Sequence, residues 1–373
     1  MNEAIVIGGG IVGISIAFHL VRQGVKTTLF DRQDPGRATA AGAGILSSEL
    51  GLETDPYAAL ARAALAYYPQ LVAQLPAGLN GDTGFARCGE LLVAVSEDEV
   101  VPFERVRELI LAQQRRQPPL GKARLLSPGE AAELFPALAP VRGAIYFEQA
   151  GRVDGRRLTQ AMRRAAEQAG LQVQPVGVEQ LVITAGRIQG VVAGGDTFPA
   201  DRVAIAGGAW SATFAAQLGL PLLVEPQRGQ LIHLKLPDTE TGAWPIVSAF
   251  RGHYLVPWPD GRVVAGATHE SGVGFKAHPT VSGLYEVLHE ALRVAPGLSQ
   301  AELVEVRVGL RPVTPDGLPL IGPVPGVDQL YLAAGHGATG LHLGPYTGKV
   351  VADWMLGQPV ELDLSAFNLA RFL

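Results

Sequence analysis

One cysteine, Cys88, occurs among the 373 residues. An intrachain disulfide is therefore excluded, and a reducing, cytoplasmic location is expected. Cys88 itself reads as a small, partly buried hydrophobe rather than a reactive thiol. No stretch of about eighteen apolar residues runs without polar interruption, so no transmembrane segment is predicted. Peripheral membrane contact stays open, because a surface patch need not show in a linear sequence. The apolar start lacks a basic n-region, so no targeting segment is expected. Basic stripes and long charge runs are missing, and the net charge is −5. Nucleic acid is thus not an expected partner. The histidines show no metal-ligand spacing and no cysteine–histidine cluster exists, so no metal is expected. There is no G-x-S-x-G elbow, no internal repeat and no low-complexity linker.

The chain does have a strong beginning. The run Ala4 to Ile7 reads as a β-branched strand ending in Gly8-Gly9-Gly10, with Gly13 completing a G-x-G-x-x-G register. A helix is predicted from Ile11 to Arg22 and a second strand from Thr27 to Phe30, with Asp31 at its end. An acidic residue at that offset is the one that binds an adenosine ribose. Gly8 permits the sharp turn, Gly10 close approach to a pyrophosphate, and Gly13 close packing of helix on sheet. The helix N-terminus offers unpaired N–H groups to the phosphates. An apolar content of 47% and 46 glycines suit an α/β protein, and the length suggests two domains.

Further along, helices are predicted over Pro56–Leu75 and Glu97–Arg116. A strand with alternating faces is predicted over Gly89–Ser96. Ser127-Pro128-Gly129-Glu130 carries a capping box, and Asp154 can cap a helix reaching about Ala169. Leu171 to Val192 reads as a small antiparallel excursion turning at Gly186. Val203 to Ala206, Gly207-Gly208 and a helix beginning at Trp210 form a second strand–glycine–helix unit. Longer β segments are expected over 230–257 and 262–268, and helices over about 281–293 and 343–356. Between the strand Leu330–Ala334 and the last helix lies the loop Gly335-His336-Gly337-Ala338-Thr339-Gly340. A helix N-terminus there would stabilise negative charge on an acceptor ring.

Several segments together resemble the D-amino-acid oxidase family of FAD enzymes. They are the opening fingerprint, Ala206-Gly207-Gly208-Ala209-Trp210-Ser211, Tyr254-Leu255-Val256-Pro257, Gly309-Leu310-Arg311-Pro312, Asp316 to Gly322, Ala334-Gly335-His336 and Gly344 to Gly348. The similarity covers nearly the whole chain, with residues 76–140 weakest, and the nearest branch is glycine oxidase. It implies an α/β architecture in which a Rossmann-like FAD-binding domain (1–75, 145–222 and 305–373) is interleaved with a β-rich (α+β) substrate domain (76–144 and 223–304). It also implies hydride transfer from a small amino or imino acid, of the D-amino acid, glycine, sarcosine or proline type, to noncovalent FAD. Oxygen, or a quinone or carrier in a dehydrogenase, then reoxidises the flavin. A homo-oligomer is compatible with this reading, and a non-catalytic dinucleotide-binding protein is the alternative from another class.

The resemblance places Ile11 and Val12 at the pyrophosphate turn, and Asp31 and Arg32 at the ribose. It places Ala38, Thr39, Ala43, Gly44 and Ile45 beside the flavin, and Val176 at the adenine. Gly207 and Trp210 belong to the second glycine unit, and His336 to Leu341 to the loop under the pyrimidine edge. Arg311 is implied as the substrate-carboxylate anchor, and Tyr254 as its neighbour closing the site. A guanidinium fork matches a carboxylate in two contacts, and Arg311 is expected just beyond a strand ending at Leu310. Three positions depart from the pattern. Ala338 stands where glycine oxidase has an arginine, His269 where it has an apolar residue, and Gly252 where it has a histidine.

Overall fold

A computed structural model of the chain describes residues 3–47, 55–76, 82–116 and 123–373. Among the described residues the strands form sheets of six, eight, three and two strands. The six-stranded sheet runs Leu320–Pro323, Leu330–Ala334, Arg202–Ile205, Glu3–Ile7, Lys26–Phe30, Gln172–Gln174 across its width. Its pairs are parallel except for the antiparallel edge strand Leu320–Pro323. Covering explains the sequence of Glu3–Ile7. Ala4 and Val6 pack into the core shared with helices Ile11–Arg22, Pro56–Ala73, Gly155–Gln168 and Gly340–Met355. Ile5 and Ile7 pack on the opposite side, under a three-stranded antiparallel sheet of Val178–Thr184, Arg187–Ala193 and Asp196–Pro199. A strand covered on both faces has no polar side, so it reads as a continuous apolar run.

The eight-stranded sheet runs Glu302–Val313, Glu225–Lys235, Arg262–Gly266, Tyr254–Pro257, Ile246–Ala249, Glu90–Ala94, Gly143–Phe147, Ala123–Leu126. Helix Val281–Val294 packs on one face through Val287, Ala291 and Val294. The capping box at Ser127 and Glu130 and the Asp154 cap both form as expected.

Five local expectations need correction. Glu90–Ala94 is buried along its whole length instead of alternating. Leu91 and Val93 meet Phe135, while Leu92 and Ala94 meet Phe103 and Ile110, so both faces are covered. Gln172–Gln174 pairs in parallel with Lys26–Phe30, which confines the antiparallel excursion to residues 178–199. After Gly207 the chain makes a 3₁₀ segment, Gly208–Phe214, and only a single α turn, Ala215–Leu218. The last helix starts at Gly340, three residues early, because a 3₁₀ turn over Gly337–Thr339 feeds directly into it. The strand bearing Arg311 does not stop at Leu310. It continues to Val313, with Pro312 opposite Pro226 on the edge of the sheet, where a missing N–H is tolerated. Gly143–Phe147 and Glu302–Val313 both belong to the eight-stranded sheet. No helix among the described residues is long and apolar enough to cross a membrane.

Candidate active site

A long cleft runs between the two large sheets, with walls drawn from residues 7 to 341. At one end the fingerprint makes a backbone cradle. Gly8 has φ +105°, and a Cβ there would stand 2.4 Å from the Ala206 carbonyl oxygen. A Cβ on Gly13 would lie 1.9 Å from the Gly8 oxygen, so the helix can approach the turn only as glycine. Gly13 therefore shapes the cradle from behind and does not line it, whereas Gly8, Gly9, Gly10, Ile11 and Val12 do. The first turn of Ile11–Arg22 has no side-chain cap on Gly10. The Thr39 hydroxyl accepts from the Ile11 N–H at 3.1 Å. The dipole end thus faces the cleft, where a pyrophosphate would sit.

Asp31 is 9% exposed at the end of Lys26–Phe30. Its Oδ2 accepts from Arg37 Nη1 at 3.1 Å and its Oδ1 from the Gln33 N–H at 3.3 Å. Arg32 lines the cleft but turns its Nε to Asp34, at 2.8 Å. Val176 is exposed and is not on the cleft wall; its neighbours Gly177 and Val178 are. The sequence reading passed over Arg37 and Asp34, because neither belongs to the spacing of the fingerprint.

In the middle of the cleft lie Ala38, Thr39, Ala43, Gly44, Ile45, Gly207 and Trp210. Gly44 adopts φ +87°, and a Cβ there would be 1.8 Å from the Val153 oxygen. From the opposite side His336, Gly337, Ala338, Gly340 and Leu341 line the wall. Gly335 and Thr339 build this loop without lining it. Thr339 donates to the His336 carbonyl from its N–H at 3.0 Å and its hydroxyl at 2.9 Å, and Tyr57 donates to the Thr339 hydroxyl at 2.9 Å. The His336 imidazole is 4% exposed and shares a 3.1 Å hydrogen bond with Thr347. Burial pulls its pKa down to about 4, so it is neutral at physiological pH.

The other end gathers residues far apart in sequence. Arg311, Tyr254, His269, Gly229, Leu231 and Ala267 line it together. The Arg311 guanidinium lies over Gly229, where a Cβ would stand 2.5 Å from its Cζ. Gly266 likewise makes room for Tyr254, whose hydroxyl would be 2.8 Å from an added Cβ. Arg311 Nη1 donates to the Thr268 carbonyl at 2.7 Å and lies 3.5 Å from His269 Nδ1. Among the described residues no carboxylate pairs with it. Burial holds its pKa below the usual arginine value, offset in part by Tyr254. Burial raises the Tyr254 phenol, and Arg311 works against that rise. Gly229 was not singled out from the sequence. The available signal was a glycine inside a strand pattern, which marks a close approach.

The cradle fits a dinucleotide: the glycines leave backbone bare where a pyrophosphate lies, and Asp31 stands at the ribose offset. Among the described residues no group of three or more His, Cys, Asp or Glu side chains could hold a metal ion. A family model described as FAD dependent oxidoreductase matches residues 3–354. The oxidoreductase YurR of Bacillus subtilis (strain 168) is 38% identical, covering 100% of both chains. Glycine oxidase of Geobacillus kaustophilus (strain HTA426) is 32% identical over 100% of this chain and 97% of its own. Among solved structures, iminodiacetate oxidase from Chelativorans sp. BNC1 superimposes with a TM-score of 0.91 at 36% identity, over 98% of each chain.

Proposed function

The chain belongs to the FAD-dependent oxidoreductase family, and we propose that it oxidises a small amino or imino acid held by its carboxylate at Arg311. FAD is its cofactor. When bound, FAD supplies a two-electron acceptor for hydride leaving the carbon that bears the nitrogen. The chain supplies binding, orientation and exclusion of water. Gly8, Gly9, Gly10 and the N-terminus of Ile11–Arg22 would hold the pyrophosphate. Asp31 would hold the ribose, and residues 38–45 with 336–341 would hold the ring.

One observation carries the substrate class. Arg311 is a cation largely withdrawn from water, facing the cleft with no anion among the described residues beside it. Burying an unpaired charge is costly, and a substrate carboxylate is the partner that removes the cost. The fork geometry of guanidinium suits two contacts to such a group. Thr268 fixes the guanidinium from behind, and Tyr254 closes the space beside it. The relatives named above support the reading, since glycine and iminodiacetate each carry a carboxylate one carbon from nitrogen. Cys88 is the only cysteine, and it is not on the cleft wall, which supports noncovalent attachment.

The test is anaerobic titration of the holoenzyme with glycine, sarcosine, proline, D-alanine and iminodiacetate. At least one should bleach the visible flavin absorbance, and a decarboxylated amine should not. Colour returning with hydrogen peroxide on readmission of oxygen marks an oxidase. Bleaching that persists until a quinone is added marks a dehydrogenase. A protein that no amino or imino acid bleaches overturns the proposal.

A further inference from the structure

Arg311 can fix a carboxylate only as well as it is itself fixed. Besides its neighbours Tyr254 and His269 in the cleft, it is held by the Thr268 carbonyl, 2.7 Å from Nη1. That oxygen belongs to a short rung, Thr268-His269-Glu270, laid beside the strand Glu225–Lys235 just past the end of Arg262–Gly266. Backbone bonds grip the rung on both sides of the Thr268 carbonyl. The Thr268 N–H donates to the Gln230 carbonyl at 3.2 Å, and Arg228 and Glu270 exchange two bonds of 2.9 Å. Side chains alternate across a strand. Gly229 and Leu231 face the cleft, so Arg228 and Gln230 turn to the other face. There Gln230 meets helix Val281–Val294, where a Cβ on Gly283 would stand 2.1 Å from Gln230 Nε2.

We propose that Glu270, clasped by Arg228, is a positioning residue for Arg311. From the reverse face of the sheet it fixes the Thr268 carbonyl, and through that carbonyl the place where the substrate carboxylate binds. The inference rests on the carboxylate anchoring proposed above. Glu270 gathers three side-chain donors. Its Oε2 accepts from Arg228 Nη2 at 2.5 Å. Its Oε1 accepts from Gln230 Nε2 at 2.6 Å and from the Thr268 hydroxyl at 2.8 Å. The Thr268 hydroxyl accepts in turn from the Gln230 N–H at 3.0 Å. Thr268 is therefore tied through its N–H, its hydroxyl and its carbonyl. The same partners staple the rest of the connection to the next helix. Gln230 Nε2 donates to the Thr280 hydroxyl at 2.9 Å, its Oε1 accepts from the Thr280 N–H at 2.8 Å, and Arg228 Nη1 donates to the Lys276 carbonyl at 3.4 Å.

Burial makes this clasp stiff. Thr268 is fully buried and Arg228 is 6% exposed, so water competes little for their bonds, and removing one partner leaves the other charged and unpaired inside. Arg228 first, then Gln230 and Thr268, hold the Glu270 carboxyl down to about 2 against the opposing effect of burial. It is ionised at any pH used for assay. The pairing also commits Glu270 to Arg228. The carboxylate two residues from Thr268 thus leaves Arg311 free for an incoming anion. The consequence is geometric, because moving the guanidinium moves the bound substrate relative to the acceptor ring, and a misplacement of about 1 Å can cost a hundredfold in rate.

The experiment is a double-mutant cycle on the holoenzyme, Glu270→Gln against Arg311→Ala. It is read by acetate binding, followed through the visible flavin spectrum, and by kcat/KM for an amino acid that bleaches the flavin. With Arg311 present, Glu270→Gln should weaken acetate about tenfold and lower kcat/KM by about ten- to a hundredfold. The FAD affinity of the apoprotein should be unchanged. In the Arg311→Ala background the same substitution should lower the residual kcat/KM by no more than about twofold, since what it positions is gone. Thr268→Val leaves the ion pair intact and serves where Glu270→Gln does not fold. It should show the same pattern at about threefold, the worth of one neutral hydrogen bond. Equal losses in both backgrounds, a matching loss of FAD affinity, or unchanged acetate binding each overturn the positioning role while leaving Arg311 as the anchor. A wild type that binds acetate no better than Arg311→Ala does overturns the anchor and the clasp together.

Discussion

The two ends of the cleft are built by opposite strategies. The nucleotide end comes from one short stretch, strand Glu3–Ile7, turn, helix Ile11–Arg22 and strand Lys26–Phe30. Its recognition elements are mostly backbone, and glycines do the shaping. The end proposed for the substrate draws Gly229, Tyr254, His269 and Arg311 from three strands and a loop of the eight-stranded sheet and its margin. Its recognition elements are side chains held over glycines. Backbone recognition tolerates little variation and needs few distant partners. Side-chain recognition can be altered one residue at a time, and specificity can change there while cofactor binding is retained.

The largest effect should come from removing the proposed substrate anchor. Arg311→Ala should lower kcat/KM by about thirty- to several-thousandfold, as losing one partner of a buried charge pair costs about 2–5 kcal/mol. FAD affinity should not change, and Arg311→Lys should recover little because an ammonium lacks the fork. An equal loss on substrates with and without a carboxylate would break the division between the two ends. At the nucleotide end, Asp31→Ala removes a charge-assisted acceptor typically worth about 1.5–3 kcal/mol. FAD affinity of the apoprotein should fall by roughly ten- to a hundredfold. The substrate KM of the fully loaded enzyme should stay the same. Unchanged FAD titration would reject the ribose role, and a raised KM would show the ends to be coupled.

The smallest and most diagnostic change is Gly229→Ala. Its Cβ would meet the Arg311 guanidinium at 2.5 Å, and that side chain can give way. A drop of about tenfold in kcat/KM is expected, short of the hundredfold that a 1 Å misplacement can reach. FAD binding should be untouched. No change in kcat/KM would mean that Arg311 has freedom the packing does not suggest.

The same contrast explains what could be read from the chain before its structure. Local features were legible because their causes are local. The fingerprint, the Ser127 capping box and the Asp154 cap each depend on a few consecutive residues. The alternation expected over Gly89–Ser96 failed in the strand Glu90–Ala94 because periodicity depends on what covers each face, and both covers lie elsewhere in sequence. The strand end at Leu310 was misplaced because Pro312 reads as a terminator, whereas the edge of a sheet accommodates it. Arg311 and Tyr254 were found through family resemblance. Nothing in their spacing says that they share a wall, and Gly229, which seats the guanidinium, gave only a weak signal. Arg37 was missed for the converse reason: it sits close in sequence to Asp31, but the fingerprint has no place for it.

Chain order also sets a timetable for biosynthesis. Strand Glu3–Ile7 emerges from the ribosome long before Arg202–Ile205, beside which it lies, and longer still before Leu330–Ala334. The helix that seals the flank of Ile11–Arg22 is Gly340–Met355. The two meet almost backbone to backbone, since a Cβ on Gly348 would stand 2.4 Å from that of Ser15. Contacts this distant in sequence form slowly, and until they form apolar surface stands open to aggregation or to chaperones. The flank of the cradle that is simplest to recognise in the nascent chain is thus completed only when residues more than three hundred positions downstream have been made.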